Sequence, residues 1–506
     1  MTRSWERPPE VSAPGGRPGG TAGGRRRPTW GRERLTSGRE RRVTSADVPT
    51  ATNTRPRGIS TLRLIGLGSG SFGLAATWAL YNTFMPLLLA PFVSSAGLRG
   101  TIMALDNVIA VLMLPLVGAW SDRVKGPLGK RLPFLLVGMP LAGLLFAALP
   151  LADTTLFLLL AVDVVFLLTI TLFRAPLVAL MPDHVPPGDR GSANGVITLM
   201  AAAGGAVGLL LLAPLFDVAQ WIPFAGAGAI VVAALGFVLV AADRNPPYVA
   251  AGTVTEEAPA LVGLFRDVRQ LVVEERGGAG VLLLAVFAVF FGYSALEAQF
   301  STFATQTLGI SAGMAGPTIA ATMLAYVVMA VPAGLIARRI GSANTMRAGA
   351  LLLAGAAVAA TLVSDVSSAR VVLAVGGAAW ALVQVPAYPL VVNQGGPART
   401  GFYTGMYYLF GSAASVAGPP IVGAMMDVFG NRALFYSLAV AMVVGAVLVT
   451  TAKRRRVEGE AASAAAEEAS ASSGETPGAA GGARGSADEA LGDGPGLDVA
   501  EAERDD

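Results

Sequence analysis

An aspartate and an arginine sit inside one unbroken apolar run. Residues 155–178 read TLFLLLAVDVVFLLTITLFRAPLV and carry Asp163 and Arg174. The run is long enough to cross a bilayer as a helix, which takes about 20 residues. Each charge at a helix centre costs roughly 2.5–3.5 kcal/mol on insertion scales. Eleven residues at about 100° each return to within roughly 20° of the same face, about 16 Å further along the axis. Both charges therefore share a face, and that face does not meet lipid. It fits a bundle interior or a water-filled path. At that separation the two cannot pair directly, so each needs a partner from another helix.

The elements that hold this run are read from composition. The chain has 506 residues, 53% hydrophobic and 14% charged, with mean hydropathy +0.59. A soluble chain usually carries about 25% charged residues, so most of this one is expected in lipid. It has no cysteine and a single histidine, His184, which leaves no disulfide and no His/Cys metal site. Twelve apolar segments lie near 64–91, 100–121, 133–151, 155–178, 192–214, 222–242, 279–304, 313–337, 347–364, 370–391, 401–426 and 432–452. Residues 1–62 are Arg/Gly/Pro-rich and 454–506 are acidic and Ala/Gly-rich, and both are expected to be disordered tails. The N-terminal tail lacks the apolar core of a signal peptide. Its arginines could meet anionic lipid or nucleic acid, but interleaved acids favour a passive tail. The expected domains are a six-helix half over 63–242, a central loop over 243–278 and a second half over 279–453.

Lys/Arg counting sets the orientation. Arg123, Lys125, Lys130 and Arg131 follow the second run, Arg338, Arg339 and Arg347 the eighth, and Lys453–Arg456 the twelfth. That side is expected to be cytoplasmic, with both termini, in a cell membrane. The halves echo each other: Pro115-Leu-Val-Gly118-Ala-Trp-Ser-Asp122-Arg123 against Pro332-Ala-Gly334-Leu-Ile-Ala-Arg338-Arg339, offset by about 216 residues.

Further polar groups interrupt the apolar runs. Asp106, followed by Asn107, is either a cavity acid or a wet helix end. Glu297 and Gln299 in the seventh run, Tyr81 and Asn82 in the first, Gln384 in the tenth and Tyr407 in the eleventh are candidate cavity residues. Aromatic rings beside amides and carboxylates suit sugars, which offer apolar faces and a rim of hydroxyls. Interfacial tyrosines are the competing reading. His184 beside Pro182 and Asp183 is read as a solvated loop histidine. No phosphate-cradling motif precedes a Lys-Ser/Thr pair, which argues against a nucleotide-driven pump. No nucleophile–base constellation marks an enzyme.

The loop GAWSDRVKGPLGKRLPF, residues 118–134, resembles the loop motif of the major facilitator superfamily, in the form found in glycoside–pentoside–hexuronide transporters and sucrose/proton symporters. The segment Gly129-Lys130-Arg131-Leu132-Pro133-Phe134 is typical of that branch. Asp163 with Arg174-Ala175-Pro176-Leu177-Val178 resembles the branch's fourth helix. Met181-Pro182-Asp183, Arg190 and Ala193-Asn194-Gly195 resemble its next loop. Gly401-Phe-Tyr-Thr-Gly-Met-Tyr-Tyr, Gly418-Pro419-Pro420 and Asp427 are similar as well. The likeness spans roughly 64–452. It implies an all-α integral membrane fold of twelve helices in two six-helix pseudo-repeats. It also implies a proton site at Asp163, with Arg174 as substrate contact or charge compensation. A carboxyl so placed can cycle between neutral and charged forms, whereas arginine stays charged. Asp122, Arg123, Lys130 and Arg131 become a cytoplasmic gate. Sodium-coupled relatives carry two acids one turn apart before the second-helix proline. Residues 110–114 are apolar here, so protons are favoured over sodium, and no other cofactor or metal is expected.

The expectation is a monomeric secondary-active transporter moving a small solute, a sugar or glycoside by proton symport. The alternatives are a proton-driven exporter of drug-like compounds or metabolites, and a non-transporting membrane sensor or scaffold.

Overall fold

A computed structural model describes residues 60–248, 278–394 and 399–472. Twelve of its helical stretches are long and apolar enough to cross a membrane. In hydrocarbon each backbone polar group needs an internal partner, and a helix supplies it within one segment.

The first span is α1 (Thr61–Leu89). The second is α2 (Ala96–Met103) running into α3 (Leu105–Arg123) through a turn at Ala104. Then come α4 (Leu132–Ala148), α5 (Leu156–His184) and α6 (Arg190–Val207). Beyond Val207 the sixth helix widens into a π turn at Gly208–Leu212 and tightens into a 3-10 turn at Ala213–Asp217. α7 (Trp221–Ala241) completes the first half. The second half holds α8 (Ala279–Gln306), α9 (Ala312–Ile340), α10 (Ser342–Ala360), α11 (Val366–Val392), α12 (Thr400–Phe429) and α13 (Ala433–Ser472).

Every expected span is found, and three of the differences at their ends change a reading. The fourth extends to His184, so Arg174 lies well inside it rather than near its end. The second starts at Ala96, so Asp106 sits at an internal turn, 8% exposed, and not at a wet helix end. The last helix runs to Ser472, so 454–472 is helical where a disordered tail was expected. Residues 1–59 of the expected N-terminal tail, most of the central loop and residues 473–506 lie outside the described residues, and Thr61 and Leu62 already belong to α1.

Each half has its own core. Leu80, Phe84, Phe146, Phe166 and Phe224 centre the first, and Val286, Phe303, Trp380, Met442 and Leu434 the second. Small residues set the helix spacing, as they do where lipid supplies no hydrophobic drive between helices. A Cβ on Gly204 of α6 would run into the backbone carbonyl of Phe72 on α1. Large apolar side chains such as Leu112, Leu116, Val240, Val328 and Leu362 stay exposed, as a lipid-facing surface requires.

Candidate translocation site

Between the halves lies a cavity of about 450 Å³. α1 presents Trp78 and Asn82, one helical turn apart on one face. α8 presents Tyr293 and Glu297 with the same spacing, α9 adds Thr322 and Tyr326, and α11 adds Trp380 and Gln384. The Tyr293 and Trp380 rings stack at 3.9 Å with 5° between their planes. A neighbouring space of about 420 Å³ shares Phe290, Tyr326, Gln384 and Ser415 with the first and is otherwise lined by Tyr388, Tyr407, Tyr408, Gly411 and Ser412. Of the candidate cavity residues, Asn82, Glu297 and Gln384 line the first space, and Gln384 and Tyr407 line the second.

Two candidates do not. Gln299 is 1% exposed, and its amide donates to the Ala96 carbonyl at 2.9 Å and the Pro419 carbonyl at 3.3 Å. It ties α8 to α2 and α12 instead of meeting a solute. Tyr81 is fully buried behind the cavity wall, stacked on Trp78 at 5.5 Å and against Phe166 at 5.8 Å.

Asp163 occupies that hidden layer. It is 0% exposed, and neither carboxylate oxygen has a hydrogen-bond partner among the described residues. The Tyr81 hydroxyl, also without a partner, is its polar neighbour and falls short of hydrogen-bond geometry. Buried polar groups are nearly always satisfied, so a carboxylate and a hydroxyl both left without a partner in one buried layer are an exception to that rule. Arg174 stands elsewhere, with its guanidinium 5.8 Å from the Trp78 ring centroid. The acid whose field reaches Arg174 is Asp106 rather than Asp163. Asp106 itself is held by Asn107, whose backbone and side-chain nitrogens donate to its carboxylate at 2.5 Å.

At the basic end of the bundle Arg131 is a hub. It pairs with Asp122 at 2.6 Å and with Asp183 of α5 at 3.0 Å, and it donates to the Ser121 hydroxyl. His184 is buried rather than solvated: its Nδ1 lies 2.7 Å from the Leu180 carbonyl and its Nε2 accepts from the Asp243 N–H at 2.8 Å. Arg63 pairs with Asp243 and also donates to the Ala241 carbonyl at 2.7 Å. Thus the α3–α4 loop, the end of α5, the segment after α7 and the start of α1 are sewn together within the first half. Arg123 is exposed, Lys130 is half-buried, and neither forms an ion pair among the described residues.

A sequence profile described as the Major Facilitator Superfamily matches residues 67–419 and again 282–487. The chain belongs to that superfamily. The human Proton-associated sugar transporter A is 29% identical over 155 residues, a match covering 28% of this chain and 21% of that protein's length. Among solved structures, a bacterial homologue of the human lysosomal transporter Spinster, inward-facing and unoccupied, superposes with TM-score 0.59 at 16% identity, covering 79% of this chain and 97% of that one. The nucleoside transporter NupG gives 0.60 at 13% identity over 77% and 99%. The human organic anion transporter MFSD10 gives 0.52 at 20% identity over 77% and 99%. At these identities the likeness is one of fold.

Read as two superfamily halves, the structure shows a reciprocal contact at the end opposite the basic loops. Asp217, closing the sixth helix, accepts from the Ser311 hydroxyl at 2.5 Å and the Gly313 N–H at 2.9 Å, at the start of α9. Asp427, near the end of α12, accepts from the Ser95 hydroxyl at 2.6 Å, the Ala96 N–H at 2.7 Å and the Gly97 N–H at 3.0 Å, at the start of α2. Each half lends a carboxylate to the other's helix N-terminus, where free N–H groups and the helix dipole welcome an anion. With Gln299, these are the hydrogen bonds that join the halves among the described residues. A signal for them was present. Ser95-Ala-Gly-Leu-Arg-Gly and Ser311-Ala-Gly-Met-Ala-Gly repeat at an offset of about 216 residues, and Asp217-Val recurs as Asp427-Val.

Proposed function

We propose that this protein is a secondary-active transporter that moves a sugar or glycoside with protons, by alternating access of the central cavity. The observation that carries the proposal is the orphaned Asp163 carboxylate one layer behind a cavity walled by aromatic rings and amides. A ring-sized solute fits about 450 Å³, with Trp78 and the Tyr293–Trp380 stack for its apolar faces and Asn82 and Gln384 for its hydroxyls. Asp163 takes and returns the proton. Tyr81 bridges it to the cavity wall. Arg174, over the Trp78 ring and in reach of Asp106, supplies a separate fixed positive charge. The sugar-transporter relative, similar over a fifth of its length, supports the same cargo class. The basic end faces the cytoplasm with both described termini, and Asp122, Lys130 and Arg131 stabilise one of the two states there.

The test is uptake into proteoliposomes loaded with a pH-sensitive dye. A sugar cargo should acidify the lumen as it enters. Asp163→Asn should abolish accumulation against a gradient and spare sugar–sugar exchange. Undiminished accumulation by that variant removes Asp163 from coupling.

A further inference from the structure

We infer that the cavity also accepts a solute carrying a positive charge, a protonated amino sugar or an organic ammonium of similar size, with Glu297 as its counter-charge. The inference rests on the same cavity as the transport proposal and extends its cargo.

Three observations lead there. First, Glu297 is the one charged side chain among the cavity's lining residues. It lies deep within the bundle yet is bare toward the cavity space. No hydrogen bond or ion pair holds it among the described residues. Second, the charges of the central layer do not balance. Asp106 on α3, Asp163 on α5 and Glu297 on α8 are acids within the spans that form no ion pair among the described residues, and Arg174 senses one of them, Asp106. Arg174 stands with Asp106 and Trp78, which leaves Glu297 without a fixed cation. An unpaired charge at bilayer depth is expensive, so a proton or a cationic solute must answer it. Third, the walls around Glu297 are π-faces. Tyr293 lies one turn before it, stacked on Trp380, and Tyr326 and Trp78 line the same space. Tryptophan and tyrosine faces attract a desolvated ammonium, Trp most strongly. A carboxylate inside an aromatic enclosure with no lining cation favours ammonium over neutral solutes and opposes anions. For a neutral sugar Glu297 holds a proton, and for an amino sugar the solute's ammonium takes that proton's place.

The test uses a matched set of hexoses binding to the purified full-length protein. D-glucosamine carries the ammonium, N-acetyl-D-glucosamine has it blocked, and D-glucose lacks it. Glucosamine should bind at least about tenfold more tightly than the other two. Glu297→Gln should bring all three within about twofold, with its melting temperature confirming a folded protein. Gln384→Glu, which adds a carboxylate to the same walls, should keep or widen the preference. Equal binding of N-acetylglucosamine and glucosamine, no glucosamine binding at all, or a preference that survives Glu297→Gln overturns the inference. The two proposals fail separately. Glucose-driven lumen acidification with no competition from glucosamine sinks the cation site and leaves symport standing. Glu297-dependent glucosamine binding with no proton movement for any sugar does the reverse.

Discussion

Removing Asp217 and Asp427 should open the end of the bundle that they hold shut. Each carboxylate is exposed and serves a helix N-terminus, accepting two hydrogen bonds in one case and three in the other. Loss of such a cap typically costs about 1 kcal/mol, and exposure to solvent argues against a larger figure. The two lie at separate helix junctions without a shared partner, so their effects should add, to about 2 kcal/mol. At roughly 1.36 kcal/mol per decade, each Asp→Ala should raise the open population ~5-fold and the pair ~30-fold. The chain contains no cysteine, so a single Ser415→Cys on the cavity wall reports opening without background. A membrane-impermeant maleimide applied from the side opposite the basic loops gives the labelling rate. Asp427→Asn should be milder than Asp427→Ala, because its amide oxygen still accepts from the Ala96 and Gly97 N–H groups. A double Ala variant that labels at the parent rate refutes the clasp as a determinant of the conformational balance.

Two further substitutions test the packing that supports the site. Arg131→Ala leaves Asp183, whose side chain is 9% exposed, without its cation, and should destabilise the protein by about 3 kcal/mol. Arg131→Lys should recover only part of this, because one ammonium cannot reproduce the fork to Asp122 and Asp183; an unshifted thermal melt of Arg131→Ala in detergent would dismiss the hub. Gly204→Ala places a methyl group against the Phe72 carbonyl and should cost roughly 1–3 kcal/mol of stability. Gly195→Ala meets nothing within 4 Å and should be neutral or slightly stabilising. Equal melting temperatures for the two alanine variants would deny the close approach of α1 and α6.

The spans were legible because hydrocarbon imposes one requirement on every segment, and apolar length reports it directly. Which face a polar residue presents was less legible, and neighbouring candidates show why. Glu297 and Gln299 are two residues apart, about 200° around the helix, so one opens on the cavity while the other reaches α2 and α12. Tyr81 and Asn82 differ by about 100°, and Trp78, one turn before Asn82, is the aromatic that shares its face. Pro182 and Asp183 carry the signature of a loop, yet both lie with His184 in the last turn of α5. Asp183 is tolerated in the helix because Arg131, distant in sequence, arrives to pair with it. The cavity aromatics Tyr293, Tyr326 and Trp380 come from three helices, and no local pattern announces their convergence. The cross-half clasp was encoded in a repeated Ser-Ala-Gly segment, whose meaning depends on a carboxylate supplied from the other half.

The broken end of the sixth helix turns chain length itself into a determinant of the clasp. A π turn holds one residue more than a regular turn and shifts all that follows by one position, about 100° of rotation. The π turn at Gly208–Leu212 lies just before the residues that aim Asp217 at Ser311. Deleting one residue within 208–212 would restore a regular helix and swing Asp217 away, with every remaining side chain chemically intact. Insertions and deletions here should therefore be far less tolerated than apolar substitutions at the same positions. In this stretch the count of residues, more than their identity, carries the information.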